Sequence, residues 1–217
     1  MVFFFISLIL SFIEDTEKEN KVFFRVVGIE EPESHLHVNL QDHLATNIES
    51  LLLTGPETYR KDLQLLLTSH STNISTKIDF ENTVVLFFKD ESIIPHYVLN
   101  GFGDTAPERK RVRYLRKYFD SENINIFYSQ SIVLVEGISE KLLFPIFYKI
   151  VCGRNLESDS STIVNVNGLA FKNFLDLIKN GYHKKCLVVT DSDTGTKGAN
   201  RGVNLQNDYK DVDVINV

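Results

Sequence analysis

An α/β chain with parallel strands, divided into two parts, is the fold class predicted by three features of this 217-residue sequence. Between Ile132 and Thr190 apolar runs of strand length alternate with runs of helix length, the rhythm of a parallel sheet with crossover helices. Val22–Ile29 is apolar except at Arg25 and Gly28, the pattern of a strand buried on both faces. Charge is also uneven. Residues 1–100 carry 7 Lys/Arg against 15 Asp/Glu, net −8, and residues 101–217 carry 16 against 14, net +2, so the two parts are expected to do different work.

Taken in order, the apolar run Val2–Ile13 is too short to span a bilayer and lacks the basic start and small-residue end of a signal peptide. It is expected to be a core helix, joined by the polar link 14–21 to the strand Val22–Ile29. Pro32 holds a loop over 30–37, and Leu40, Leu44, Ile48, Leu51 and Leu52 predict a helix over 38–53 that Gly55-Pro56 stops. Strands follow at 63–67 and 83–88, and the second leads into polar, Pro-containing sequence. A boundary is expected at 101–107. The helix predicted over 107–119 carries Val112, Leu115 and Phe119 on one stripe and Arg109, Arg113, Arg116 and Lys117 on another. Beyond it come strands at 132–135, 162–166 and 186–190 and helices at 141–151 and 169–179. The expected organisation is therefore residues 1–100, a basic helical linker over 101–130, and a second domain over 131–217.

Composition is that of a globular chain, 43% hydrophobic and 24% charged, and the net charge of −6 argues against wholesale coating of nucleic acid. Cys152 and Cys186 lack metal or CxxC spacing, so both are expected to be buried free thiols in a reducing cytosol.

Two motifs mark the first part. "VVGIEEPESHLH" (26–37) sets Glu30 and Glu31 straight after an apolar strand, where adjacent carboxylates suit Mg²⁺ coordination and polarisation of a water. "LLLTSHST" (65–72) sets His70 in a polar trio at the end of another strand. The pair resembles the Walker B strand and switch histidine of an ABC-type ATPase, and "IEEPESHLH" is similar to the ATPase of the OLD (overcoming lysogenization defect) family of nucleases. That resemblance implies that Glu30 holds Mg²⁺ through water, Glu31 is the catalytic base and His70 contacts the γ-phosphate of ATP. It would also make the N-terminal helix the tail of the signature helix. The phosphate-cradling G-x-x-x-x-G-K-[ST] occurs nowhere in the sequence, and "GTKGAN" (195–200) does not fit it. The chain is expected to be a piece that starts part-way through its ATPase.

The second part repeats the strand-end logic. In "VLVEGISEKLLFPIF" (133–147) Glu136 stands at the seam between a buried strand and a helix, where a carboxylate is costly unless it does chemistry. Asn167-Gly168 ends the next strand, and "VVTDSDTG" ends a third, with Asp191 and Asp193 two residues apart so that both carboxylates can face one site. Acids from parallel strand ends suit divalent metal and phosphodiester chemistry.

In this order the set resembles the Toprim domain of topoisomerases, primases and OLD nucleases, a Rossmann-like parallel sheet. The resemblance implies that Glu136, Asp191 and Asp193 are metal ligands, that Glu140 serves a second metal, and that Gly137 and Gly168 permit close backbone approach. A later glutamate and lysine of that family have no counterpart before Val217.

An ATPase part followed by Toprim implies an ATP-regulated DNA endonuclease using Mg²⁺ or Mn²⁺. It also implies a cytoplasmic homodimer or higher assembly in anti-phage or DNA-processing work, with a helicase as a candidate partner. The basic run "RKRVRYLRK" (109–117), six cations in nine residues, fits either a solvated face or phosphate contact through Arg109, Arg113, Arg116 and Lys117. Two alternatives stay open: a non-catalytic remnant that binds a partner, and another Toprim enzyme such as a primase or topoisomerase. Against the latter, no nucleophilic tyrosine motif stands out.

Overall fold

The computed structural model describes Ser11 and residues 24–217, except 56–57, 90, 120–122, 169, 180–184, 193–194 and 196–199. The helix expected over 2–13, Ser11 apart, and the start of the Val22–Ile29 strand lie outside the described residues. The chain forms two compact units, Met1–Asp79 and Phe80–Val217. No helix among the described residues is long and apolar enough to cross a membrane.

The first unit runs β1 (Arg25–Glu30), α1 (Val38–Ile48), a 3-10 turn (Glu49–Leu52), β2 (Leu53–Gly55), β3 (Thr58–Tyr59), β4 (Leu63–Thr68) and the single-turn α2 (Thr72–Ser75). β1 and β4 pair in parallel, from Arg25 opposite Leu63 to Glu30 opposite Thr68. Ile29 and Ile48 are buried together, with Val27, Leu65 and Leu67 packed against them, while Leu44 and Ala45 of α1 meet Ile74 of α2. The sheet's opposite face stays open, with Val26 and Leu66 more than half exposed. The expectation of a strand buried on both faces is thus corrected. Side chains alternate along a strand, and only one of the two faces is covered among the described residues.

The second unit opens with an antiparallel ribbon, β5 (Val84–Lys89) with β6 (Ser92–Tyr97), followed by α3 (Ala106–Tyr118) and a 3-10 turn (Asn123–Tyr128). Then come β7 (Ser131–Val135), α4 (Ile138–Cys152), a 3-10 turn (Leu156–Asp159), β8 (Ser161–Asn165), α5 (Phe171–Ile178), β9 (Lys185–Val189), α6 (Arg201–Tyr209) and β10 (Ile215–Asn216). The four last strands make one parallel sheet in the order β10-β9-β7-β8. The alternation expected over 132–190 is present, each element starting and ending within about three residues of its expected bounds.

Ile132 to Val135 of the inner strand β7 are all buried. The core adds Val164, Cys186 and Val188 from the neighbouring strands, Phe171, Phe174, Leu175 and Ile178 from α5, and Leu115 with Phe119 from the apolar stripe of α3. Phe174 meets Tyr118 edge-on at 4.8 Å. Burying such a ring contributes roughly 2–3 kcal/mol. In the same core Asp176 accepts hydrogen bonds from Tyr209 at 2.9 Å and Lys179 at 3.1 Å, and pairs with Arg111.

Helix α4 leaves most of its apolar surface uncovered. It is apolar almost all round, and Leu142, Leu143, Ile146, Phe147, Ile150 and Val151 are exposed while Phe144, Pro145 and Tyr148 are half-buried. A straight helix can seat only one stripe against a sheet. Cys152, its last residue, is exposed; the expectation that both thiols are buried holds for Cys186 alone.

Candidate functional sites

Parallel pairing of β1 and β4 brings two loops to one end of the first unit. With Glu30 opposite Thr68, the next residues, Glu31 and Ser69–His70, necessarily lie side by side. The Glu31 N–H donates to the Thr68 carbonyl at 3.0 Å, prolonging the ladder by one rung, and its backbone then turns left-handed at φ 40°. Glu31 Oε1 lies 3.3 Å from His70 Nε2. Its other oxygen accepts from the Ser34 hydroxyl at 3.4 Å. The structure therefore brings together the two first-unit residues that the sequence singles out most sharply. Glu30, a strand residue, is exposed at the same end.

Glu33 was missed by sequence reasoning. Its Oε1 accepts from the Ser69 hydroxyl at 2.8 Å, the His70 N–H at 2.7 Å and the Ser71 N–H at 3.1 Å. Ser71 in turn caps α2 through Ile74 N–H and donates to Gln41 of α1 at 2.7 Å. Two serines flanking a histidine at a strand end were the available signal.

In the second unit β7 and β9 are neighbours, with Val135 opposite Val189. Glu136 and Thr190 follow on the two strands, and the Thr190 hydroxyl donates to Glu136 Oε2 at 2.8 Å. Asp191 comes next and is exposed. On the other side, β8 leads into Asn167 and Gly168 at φ 53° and 102°, and the Gly168 N–H donates to the Glu136 carbonyl at 2.8 Å. Glycine is needed at that second left-handed position. Glu136 is thus held at its backbone by one strand end and at its carboxylate by another.

Glu140, in the first turn of α4, folds back over the seam. A Cβ placed on Gly137 would stand 3.0 Å from Glu140 Oε2, so the bare backbone at 137 leaves room for that carboxylate. Glu136, Glu140 and Asp191 offer hard oxygen donors, the chemistry that suits Mg²⁺ or Mn²⁺. Asp193 lies outside the described residues. Among the described residues no three His, Cys, Asp or Glu side chains gather closely enough to hold a metal.

The basic helix α3 starts from a reciprocal cap between Thr105 and Glu108. Of its four candidate phosphate contacts, Arg109 pairs with Asp104 at 2.7 Å and Arg116 with Glu81. Arg113 and Lys117 are exposed and make no ion pair with another described residue.

Residues 127–193 match the family described as the overcoming lysogenization defect protein-like TOPRIM domain, and residues 1–75 match the AAA ATPase domain. The chain is also similar to endonuclease GajA of Bacillus cereus (strain HuB5-5), 26% identical over 189 residues. That match covers 77% of this chain and 26% of the relative, so the chain spans about a quarter of the relative's length.

Proposed function

From a chain that carries an OLD-like TOPRIM domain behind an AAA ATPase segment, we propose the function of an ATP-regulated, divalent-metal-dependent DNA endonuclease. One observation carries the reading: Glu136 and Asp191 follow the adjacent ends of parallel strands, and the Thr190 hydroxyl holds the Glu136 carboxylate. The similarity to a protein named an endonuclease supports it.

In this reading Glu136, Glu140, Asp191 and Asp193 would hold one or two Mg²⁺ or Mn²⁺ ions. When bound, the metal supplies Lewis acidity at the scissile phosphate and lowers the pKa of a water. The protein's own part is placement. Thr190 occupies Glu136 Oε2 and leaves Oε1 without a hydrogen-bond partner among the described residues, while Gly137 and Gly168 keep side chains away from the strand ends. Arg113 and Lys117 offer exposed cations to the DNA backbone. In the first unit Glu31 would act as the base toward a water, His70 would contact the γ-phosphate of ATP, and Glu30 would help hold the nucleotide's Mg²⁺. The assembly is a cytoplasmic homodimer or higher oligomer, acting in anti-phage or DNA-processing work with a helicase as candidate partner.

The test is the double substitution Asp191→Ala, Asp193→Ala in the full-length protein. It is expected to lower cleavage of supercoiled plasmid in Mg²⁺ or Mn²⁺ by at least about 10³-fold while ATP hydrolysis stays within twofold of wild type. Cleavage surviving the double substitution overturns the metal-site assignment.

A further inference from the structure

We propose that Glu33 is a positioning residue, whose carboxylate clamps the turn after β4 so that His70 meets Glu31; this rests on the ATPase reading of that pair. The His70 side chain is 82% exposed, and its described ion-pair contact is with Glu31 at 3.3 Å. Packing therefore does not aim the ring, and its direction follows from its backbone. That backbone is gripped at a single point. Three consecutive residues, Ser69, His70 and Ser71, direct a hydroxyl and two amide N–H groups at Glu33 Oε1, at 2.8, 2.7 and 3.1 Å.

The converging donors make a small anion-binding turn, closed further by the Ser71 N–H on Ser69 Oγ at 3.0 Å. Hydrogen bonds to an ionised acceptor are stronger than neutral ones. Glu33 is also tied to the other partner, because it lies two residues beyond Glu31 in a turn closed by Ser34 N–H on the Glu31 carbonyl at 2.9 Å. One side chain thus spans from the loop that carries the base to the loop that carries the histidine.

Packing does not explain a carboxylate here. Glu33 Oε2 is buried with no partner among the described residues. Burying an unpaired polar oxygen costs free energy. What offsets that cost is the threefold grip of Oε1, and the grip's consequence is the Glu31–His70 distance.

The test uses the 217-residue chain with isotope-labelled histidine and backbone nitrogen. In wild type, Glu31→Gln is expected to shift the His70 ring resonances. In the Glu33→Ala background the same Glu31→Gln change should leave them in place, and amide exchange at His70 and Ser71 should quicken by about tenfold or more. Glu33→Gln, which keeps an acceptor oxygen, should restore part of both effects. Should Glu33→Ala not fold, Ser69→Ala removes one donor and is expected to weaken the coupling in the same direction. A His70 ring that senses Glu31→Gln equally with and without the Glu33 carboxylate overturns the proposal.

A second arm measures ATP hydrolysis by the full-length protein. Glu33→Ala is expected to lower kcat by about tenfold or more with KM within about twofold, and Glu33→Gln to recover part of it. A kcat unchanged by Glu33→Ala in an active ATPase overturns the positioning role in catalysis. Absence of any hydrolysis with Glu33 intact instead overturns the ATPase reading, and leaves the coupling arm to decide what Glu33 holds.

Discussion

Cys186 is the second residue of β9 and has no exposed surface, and burial pushes its thiol up to about 12. Cys152 is exposed at the end of α4. A thiol reacts as thiolate, so a disulfide reagent at pH 8 is expected to titrate one thiol per folded chain and two in denaturant. Two fast thiols in the folded chain would show that β9 is not held in the sheet. Single residues were legible in the sequence where they broke a pattern. Glu136 ends four consecutive buried residues, and no packing reason puts a carboxylate there. Thr190 was illegible, because threonine is an ordinary strand residue. It meets Glu136 only because the register sets Val135 opposite Val189, one residue before each. Glu33 was hidden for a related reason, as its three donors lie 36 to 38 residues further along the chain.

At the scale of elements, the alignment of Glu31 with His70 depends on the pairing of β1 with β4, which is anchored at its far end. Arg25 N–H donates to the Asp62 carbonyl at 2.8 Å, and the Asp62 carboxylate takes the guanidinium of Arg60 at 2.8 Å and that of Arg25 at 2.6 Å. Arg60 first, and Arg25 with it, hold the Asp62 carboxyl well below the usual carboxylate range. A lowered folded pKa contributes stability that is present above the unfolded value near 4 and is lost as pH falls through the folded one. The melting temperature of wild type should therefore exceed that of Asp62→Asn at pH 6 to 7, with the gap closing as pH drops below about 4. A gap that persists or widens at pH 3 would sink this account. Elements with strong periodicity were legible, as the β7-to-β9 alternation shows. β6 was not, because Pro95 and His96 interrupt its apolar pattern. A two-stranded ribbon consists of edges, where proline is tolerated, and His96 is buried behind it, its pKa lowered by desolvation. The 3-10 turn after α1 was also missed, since Leu51 and Leu52 continue a helical spacing that the backbone abandons at Glu49.

On the scale of the whole second unit, one acid ties three helices together. Asp176 of α5 is buried, and Arg111 of α3, Lys179 and Tyr209 of α6 converge on it. Desolvation by burial, and the Asp176 carboxylate with it, push the Tyr209 hydroxyl well above its usual range, which favours the protonated, donating form. Removing one member of a buried pair strands the others. Because Arg111 and Lys179 are each about a third exposed and can turn to water, Asp176→Ala should cost about 2–3 kcal/mol, read as a shift in urea midpoint. A change under about 0.5 kcal/mol would show that the node contributes nothing net. Sequence could not announce this node, because Asp176 stands in a helix whose other features are apolar spacing, and its partners come from positions 65 residues before and 33 after it.

The left-handed turn at Glu31 has a consequence for how such a chain evolves or is engineered. A side chain at φ 40° carries a conformational penalty of about 1–2 kcal/mol that glycine escapes. Glu31→Gly is accordingly expected to raise the melting temperature, while Glu31→Ala, with a Cβ still in place, should not. A library screened for robustness alone would drift toward glycine at this position and discard the carboxylate, whereas, under the proposed role of Glu31 as the base, one screened for ATP hydrolysis would keep the weaker fold. Which residue survives at position 31 thus reports which of the two properties was under selection.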